Sequence, residues 1–326
     1  MKSLHGLLAA LAAASAVATC APAEKAPDTI LYNGRITTLD DETGPASALA
    51  IRDGRVIAVG GDAQIRDLAG AATRTVDLGG HRVIPGLIDN HDHVIRATEY
   101  WTWEARLDGV TSREESVRIL QAKAASLPPE AWLLVLGGWG EEQFTDDPRG
   151  FSRAELDAIA PDRPAFLQVR YDYAFANSAW FAAMGLPLAI APGSPPGEGL
   201  ARFVERDADG QATGRLDGGF PMIALATRGF PAVTEETQRA GIEALSETLL
   251  GYGITSVFDP GGLGIRPESY SRLQAMADAG ALRLRFFYSL WDGVVNTPEG
   301  AQHLIHRLET ETPFGAKDEV AYFHNL

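Results

Sequence analysis

Residues 84–93 read Ile-Pro-Gly-Leu-Ile-Asp-Asn-His-Asp-His, an apolar strand that runs into two histidines one residue apart. In an extended chain successive side chains point to opposite faces, so His91 and His93 are predicted to point the same way, about 6 to 7 Å apart. Neutral imidazole is a favoured ligand of zinc and of neighbouring divalent metals. The pattern therefore predicts half of a metal site, with Asp89 on the same face to accept a hydrogen bond from a ligand ring.

The spacing of the two histidines is weak by itself, because any two histidines can fall one residue apart by chance. The residues before the pair strengthen the interpretation. An apolar run, Val-Ile-Pro-Gly-Leu-Ile-Asp at residues 83–89, leads directly into the pair and would point both rings into a pocket.

Short β-patterned runs fill the sequence before this strand. They are divided by three two-residue turn signals, Asn33-Gly34, Asp53-Gly54 and Gly79-Gly80. Dipeptides of this kind are typical of tight β-hairpins. The runs therefore predict a small antiparallel β unit over residues 28–84.

Beyond the histidine pair, apolar strand-like runs alternate with amphipathic helices, which is the pattern of repeated βα units. Helices are predicted to start where Ser112, Ser152 and Thr234 precede acidic residues. The last of these helices ends at Gly253, before a strand at residues 254–258. The alternation predicts an α/β fold, a (β/α)8 barrel with its site at the carboxyl ends of the strands, of which this chain supplies about five.

The apolar Pro-Gly strand that ends in His-x-His resembles the signature of the amidohydrolase superfamily, the urease-like metal-dependent hydrolases. Later segments are similar to its YtcJ-like branch, which includes formamide deformylases: residues 137–141, 156–164, 176–179, 210–216 and 253–259. The resemblance covers nearly the whole chain after residue 27. It implies a (β/α)8 barrel over residues 85–326, incomplete in this chain, preceded by the N-terminal part of a β-sandwich domain over residues 28–84.

The resemblance also implies a chemistry. His91 and His93 would hold a divalent metal, with zinc the expected one, and a metal-activated water would hydrolyse a C–N bond in an amide, formamide or cyclic amide. The superfamily takes further histidine ligands and an aspartate general base from later strands. No residue of this chain matches those positions, so the general base is unknown and the chain alone is expected to be inactive.

Two residues are weaker candidates for substrate binding. Asp259 ends a predicted barrel strand, where catalytic groups collect, although an aspartate before Pro260-Gly261 is equally a turn former. Tyr173 stands where the YtcJ-like branch usually has a histidine, so it offers a hydroxyl in place of an imidazole. A structural or solvent-facing role is the favoured interpretation of several others: Asp172, Trp139, Glu141, His81, His303 and His306.

Composition indicates a globular protein that acts on a small molecule. With 326 residues, 45% of them hydrophobic, the chain can bury a large core. Its net charge of -15 and pI near 4.9 argue against nucleic acid or an anionic membrane surface as a partner, because no basic surface would neutralise phosphates. The alternative from another functional class is a non-catalytic binding lipoprotein that keeps the fold without the chemistry.

Residues 1–20 are typical of a signal peptide, and residues 21–27, rich in Ala and Pro, of a tether. The apolar run from Leu7 to Val17 is too short to span a bilayer. Cys20, the only cysteine, follows this run as the lipidated cysteine of a bacterial lipoprotein would. Ala16-Val17-Ala18 offers an ordinary cleavage site as the alternative. We expect export to the periplasm or outer membrane, with membrane attachment only through lipid.

The lipid anchor is tested by replacing its attachment residue. Cys20→Ser is expected to abolish palmitate incorporation and to release soluble protein, since the acyl chains are what would hold an acidic protein on a membrane. Cell fractionation and metabolic labelling measure the two effects. Equal amounts of soluble protein from parent and variant would instead support cleavage after Ala18.

Overall fold

The structure is a computed structural model that describes residues 25–262, 265, 267–289, 297–310 and 320–323. The predicted signal peptide with Cys20 lies outside these residues, and so does His324. The described chain forms two compact units, one ending at Pro85 and the other beginning at Gly86. No helix in these ranges has the length and apolarity needed to cross a membrane.

The first unit is built from short strands around one short helix. In chain order its elements are β1 (Thr29–Tyr32), β2 (Arg35–Ile36), β3 (Ala48–Arg52), β4 (Arg55–Gly60), α1 (Asp62–Arg66), β5 (Arg74–Asp77) and β6 (Arg82–Val83). One sheet has the strand order β4-β3-β1-β5, and β2 pairs with β6 in a second, two-stranded sheet.

Only one of the three turn signals joins an antiparallel pair. Asp53-Gly54 connects β3 to β4, and both of its residues have positive φ, 50° and 73°. β1 pairs with β5, and β2 with β6, in parallel. The chain bends at Asn33 and again at Gly79-Gly80. The two bends lie side by side, because the Gly80 N–H donates to the Asn33 carbonyl at 2.7 Å. The expectation of a purely antiparallel unit is therefore wrong, because two parallel segments cross together from one sheet to the other.

The second unit is a mixed α/β structure, which confirms the predicted fold class at that level. Its elements are β7 (Leu87–Asp89), α2 (Val94–Tyr100), α3 (Arg113–Ser126), β8 (Leu133–Val135), α4 (Arg153–Ile159), β9 (Ala165–Val169), β10 (Tyr173–Ala176), α5 (Ser178–Ala183), β11 (Val204–Arg206), β12 (Ala212–Asp217), α6 (Gly219–Thr227), α7 (Glu235–Gly251), β13 (Ile254–Asp259), α8 (Pro267–Asp278), β14 (Arg285–Ser289), α9 (Pro298–Thr310) and β15 (Val320–Phe323).

These strands form two sheets. The described part of the first has the order β15-β14-β13-β7, with every pair parallel. The second has the order β11-β12-β10-β9-β8 and is antiparallel except for the β8–β9 pair. The second sheet is inserted in the sequence between β7 and β13. Strands β8 to β12 are thus not successive strands of the parallel sheet, as the simple alternation predicted.

Helix α2 is held firmly against the parallel sheet. Its residues Val94 and Ile95 are buried in one apolar cluster with Ile242 of α7 and Val257 of β13. Helices α2 and α7 approach closely at Gly241, where a Cβ atom would lie 1.9 Å from the carbonyl oxygen of Thr98. The position of α2 matters because its first turn follows directly on the histidine pair.

The predicted helix starts are confirmed. The hydroxyls of Ser112 and Thr234 accept hydrogen bonds from the N–H groups of Glu115 (3.2 Å) and Thr237 (3.1 Å). The Ser152 hydroxyl accepts from the Glu155 N–H, and the Glu155 carboxylate in turn accepts from the Ser152 N–H, which is a complete capping box. Each side chain satisfies an N–H that would otherwise lack a partner in the first turn.

Asn177, from one of the segments that carry the family resemblance, has a structural role. Its side chain is fully buried, and its Oδ1 accepts from the N–H groups of Ala165 and Trp180, both at 2.9 Å. Its Nδ2 donates to the carbonyls of Ala160 and Arg163, also at 2.9 Å. All four hydrogen-bonding positions of the amide are occupied, so the side chain joins β9 and α5 to the end of α4.

Asn177→Ala is expected to lower the free energy of unfolding by about 3 to 5 kcal/mol, because it leaves four buried backbone groups without a partner. Chemical denaturation measures the change. The matched control is Gln211→Ala, which removes an exposed amide and should change stability by less than about 0.5 kcal/mol. A loss below about 1 kcal/mol in the Asn177 variant would contradict this account.

Candidate metal centre

The histidine pair lies at the carboxyl end of β7, but beyond the strand itself. β7 ends at Asp89, whose Oδ1 accepts a hydrogen bond from the His91 N–H at 3.1 Å. This local bond competes with continued strand pairing and turns the chain. In the structure Asp89 bonds the backbone of His91, and its hydrogen bond to a ligand ring stays a prediction.

His91 and His93 nevertheless come together. His93 is the N-cap residue of α2, with φ −85° and ψ 55°, so the pair sits in the bend between strand and helix. The two ring centroids are 5.5 Å apart, and the ring planes are nearly perpendicular, at 82°. The sequence predicted the proximity correctly, although the extended backbone from which it was derived is not what produces it.

The His93 ring has one buried and one more open side. The Nδ1 atom is buried and has no hydrogen-bond partner among the described residues, while 35% of the side chain is exposed. Nδ1 lies 3.8 Å from Oδ1 of Asp259, which is too long for a hydrogen bond but close enough for charge attraction. The Asp259 carboxylate raises the pKa of His93 above its ordinary value, and burial of the ring opposes this shift.

Asp259 is fully buried at the end of β13. Its Oδ2 accepts from the Ile95 N–H at 2.8 Å, and its Oδ1 accepts from the Gly261 N–H at 2.9 Å. Both oxygens are therefore used by backbone groups, and the residue does not face solvent as a substrate-binding group would. Of the two roles that the sequence left open, the structure supports the turn-forming one.

The segment after β13 also shapes the space around the histidine ring. A Cβ atom at Gly262 would lie 3.0 Å from Nδ1 of His93, so a side chain there would displace the ring. Asp92, between the two histidines, is anchored by its N–H to the Phe258 carbonyl at 3.1 Å. Its pKa is raised by burial and by the nearby carboxylates Asp89 and Asp259. The histidines thus lie in an acidic environment that favours a cation.

Within the described ranges, no group of three or more His, Cys, Asp or Glu side chains is arranged to hold a metal ion. His91 and His93 are the two candidate ligands that the structure brings close together. The buried Nδ1 of His93 fits this role, because the nearby Asp259 carboxylate favours a proton on Nδ1 and so leaves Nε2 free for a ligand.

The remaining predicted candidates lie elsewhere. Tyr173 is in β10 of the inserted sheet, where the Arg215 guanidinium lies over its ring at 3.9 Å from the centroid. Its pKa is raised by burial first and by Glu141 second. Trp139 is buried and donates from Nε1 to the Gln168 carbonyl at 2.9 Å. His81 is in the first unit, His306 is exposed on α9, and the side chain of His303 is outside the described residues.

Sequence reasoning missed Arg96, the third residue of α2. Its side chain is buried, and its guanidinium donates from Nη1 to the Tyr171 hydroxyl (3.3 Å) and from Nη2 to Oε1 of Gln168 (3.1 Å). The one available signal was a charged residue between the apolar Ile95 and Ala97, three positions after His93. Its partners could not be inferred, because they are distant in sequence.

Comparison with known proteins agrees with this geometry. Residues 74–319 match the model of the Amidohydrolase family. The N-substituted formamide deformylase of Arthrobacter pascens is 28% identical over 191 residues, 58% of this chain and 34% of that protein. YtcJ of Bacillus subtilis (strain 168) is 30% identical over 189 residues, 57% of this chain and 34% of YtcJ.

A solved structure, an uncharacterized metal-dependent hydrolase from Pyrococcus horikoshii OT3, has the same fold. It superposes with a TM-score of 0.61 at 22% identity and covers 91% of this chain and 53% of that one. The chain thus spans about a third of the length of the two relatives and about half of that structure. Because the family model matches most of the chain, this protein belongs to the amidohydrolase family.

Proposed function

We propose that this protein is part of a metal-dependent hydrolase that cleaves a C–N bond of an amide, formamide or cyclic amide in a small molecule. One observation carries the proposal: the rings of His91 and His93 meet at the carboxyl end of a parallel strand, 5.5 Å apart, with the buried Nδ1 of His93 against Asp259. Family membership and the formamide-cleaving relative support the reaction class.

The fold proposed for the complete enzyme is a (β/α)8 barrel with a β-sandwich domain before it. The parallel strands β7, β13, β14 and β15 would be successive barrel strands, and the five-stranded sheet would be an insertion after the first. Carboxyl ends of barrel strands are where active sites form, and the histidine pair lies at such an end.

His91 and His93 are proposed to hold a divalent metal, most simply zinc. When bound, such a metal polarises a carbonyl and lowers the pKa of water towards about 7. The chain's own contribution is positional. The charge of Asp259 favours a proton on Nδ1 of His93, and Asp89 turns the chain at the point where the two rings come close together. We assign no general base.

A non-catalytic binding protein is the second candidate, since the described residues supply two metal-binding side chains rather than three or more. Turnover by metal-loaded protein separates the candidates.

We further propose export, with lipid at Cys20 as the membrane attachment and a small molecule as the ligand.

The metal assignment predicts that the histidine pair controls zinc binding. His91→Ala with His93→Ala should weaken zinc affinity by at least about 100-fold, because removal of both imidazoles leaves no favourable nitrogen ligand. Competition with a chelating dye measures the affinity without relying on activity. His81→Ala, an exposed histidine of the first unit, is the matched control and should bind zinc like the parent. Zinc binding that survives in the double variant would contradict the assignment.

The position of Asp259 beside His93 predicts that removing its charge changes the pKa of His93. Asp259→Asn removes the carboxylate charge, so the pKa of His93 should fall, and zinc affinity should drop about 10- to 100-fold. Titration of the histidine Cε1–H signals by NMR in metal-free protein gives the pKa.

The sign of the linked stability change follows from that shift. The folded-state pKa of His93 is raised, so its attraction to Asp259 stabilises the fold fully below the unfolded-state pKa. That contribution is lost as the pH rises through the folded-state pKa, and the variant should lack this dependence. Asp217→Asn removes an exposed carboxylate far along the chain and is the control. An unchanged His93 pKa in Asp259→Asn would show that the carboxylate does not act on the ring.

A further inference from the structure

Among the residues that the structure describes, the buried cation Arg96 has no carboxylate partner. Only 7% of the residue is exposed, and its two hydrogen-bond acceptors, the Tyr171 hydroxyl and the Gln168 amide oxygen, are both neutral. In the described part of the chain, the guanidinium forms an ion pair with no carboxylate. A buried charge of this kind is unfavourable unless an opposite charge compensates it.

Neighbouring arginines show the usual arrangement. Arg106 lies 2.8 Å from an Asp108 oxygen, and Arg113 lies 2.8 Å from a Glu155 oxygen. Burial raises the pKa of Glu104, and the charges of Arg106 and then Arg96 oppose that rise. The Glu104 carboxylate is nevertheless occupied, because it accepts from the Leu136 N–H at 2.9 Å and pairs with Arg106 at 3.4 Å.

The guanidinium lies near the histidine pair. His93 is the N-cap of α2 and Arg96 is three residues later, a spacing that places two side chains on one side of a helix. A ligand that reached His93 would therefore be close to Arg96.

An exposed aromatic pair accompanies the cation. Tyr171 is 39% exposed and Phe220 is 48% exposed, and their ring centroids are 6.2 Å apart. The centroid of Tyr171 is 6.0 Å from Cζ of Arg96. Large aromatic side chains that remain exposed next to polar binding groups are typical of ligand sites.

We propose that Arg96, Tyr171 and Phe220 bind a substrate that carries a carboxylate beside an apolar or aromatic group. An N-formyl or N-acyl aromatic amino acid has this chemistry. Its carboxylate would compensate Arg96, its ring would lie on Tyr171 and Phe220, and its amide would extend towards the histidines. This inference rests on the proposed function. Hydrolysis would add water across the C–N bond, with the hydroxyl going to the carbonyl carbon and the proton to the nitrogen.

The test compares two probes that differ in one group. N-formylphenylalanine carries the carboxylate, and N-formyl-2-phenylethylamine lacks it. Binding of each to the zinc-loaded protein is measured by calorimetry, and hydrolysis is followed separately through release of formate. The parent protein is expected to bind the carboxylate probe roughly 10- to 100-fold more tightly, as expected for a charge-assisted bidentate pair.

The Arg96 variants locate this preference. Arg96→Gln should abolish it, and Arg96→Lys, which keeps the charge without the bidentate geometry, should keep a smaller one. Phe220→Ala should weaken the binding of both probes by the same factor. Arg106→Gln is the matched control, since that arginine already has carboxylate partners, and should keep the full preference.

Thermal unfolding shows which variants are folded, because Arg96 also joins α2 to Gln168 and Tyr171. If Arg96→Gln does not fold, Arg96→Lys decides the question through its reduced preference. Equal binding of both probes by the parent, or an undiminished preference in a folded Arg96 variant, would overturn the inference. A preference without formate release would support the Arg96 assignment and count against the proposed hydrolysis, so the two failures are distinguishable.

Discussion

One buried carboxylate holds the candidate site together. Asp259 bonds the Ile95 N–H at the start of α2 and the Gly261 N–H after β13, and it lies 3.8 Å from the ring of His93. An ionised carboxylate is stable in a fully buried position only when hydrogen bonds and opposite charge replace its hydration. The same group therefore joins the end of β13 to the start of α2 and places its charge beside the histidine ring.

Negative charges lie around the histidines, and a positive charge lies at Arg96. Carboxylates lie around the histidines, and the pKa of Asp92 is raised by burial first and then by the charges of Asp89 and Asp259. On the other side, Arg96 carries a buried positive charge towards the inserted sheet. A cation at the histidines and an anion at Arg96 would relieve both imbalances. The inserted sheet is thus more than a decoration of the fold, because it supplies Gln168 and Tyr171 to the arginine.

Local sequence predicted the parts of this arrangement that depend on local interactions. The histidine pair, the helix starts at Ser152 and Thr234 and the hairpin at Asp53-Gly54 all follow from neighbouring residues. The pairing of strands could not be predicted in this way, because a turn signal such as Gly79-Gly80 does not determine which two strands pair. The extent of β7 was misjudged because the carboxylate of Asp89 turns the chain early.

The site also contains relations that no local pattern reveals. Arg96 and Asp259 each bond groups that are far away in the sequence, so only the folded chain brings their partners together. The alternation of strands and helices in the sequence likewise does not reveal contacts between distant segments. It indicated an α/β protein, but it could not show that β8 to β12 belong to a second sheet.

The place of the inserted sheet has a consequence for how the chain folds. β7 must pair with β13, yet the whole insertion separates Leu87 from its partner Ile254. Closing so long a loop costs chain entropy before any contact repays it, which slows folding. If the insertion folds first, its own compact structure shortens the distance between its two ends. During synthesis β7 leaves the ribosome long before β13, so its backbone hydrogen-bonding groups stay unpaired until the insertion and β13 have been made.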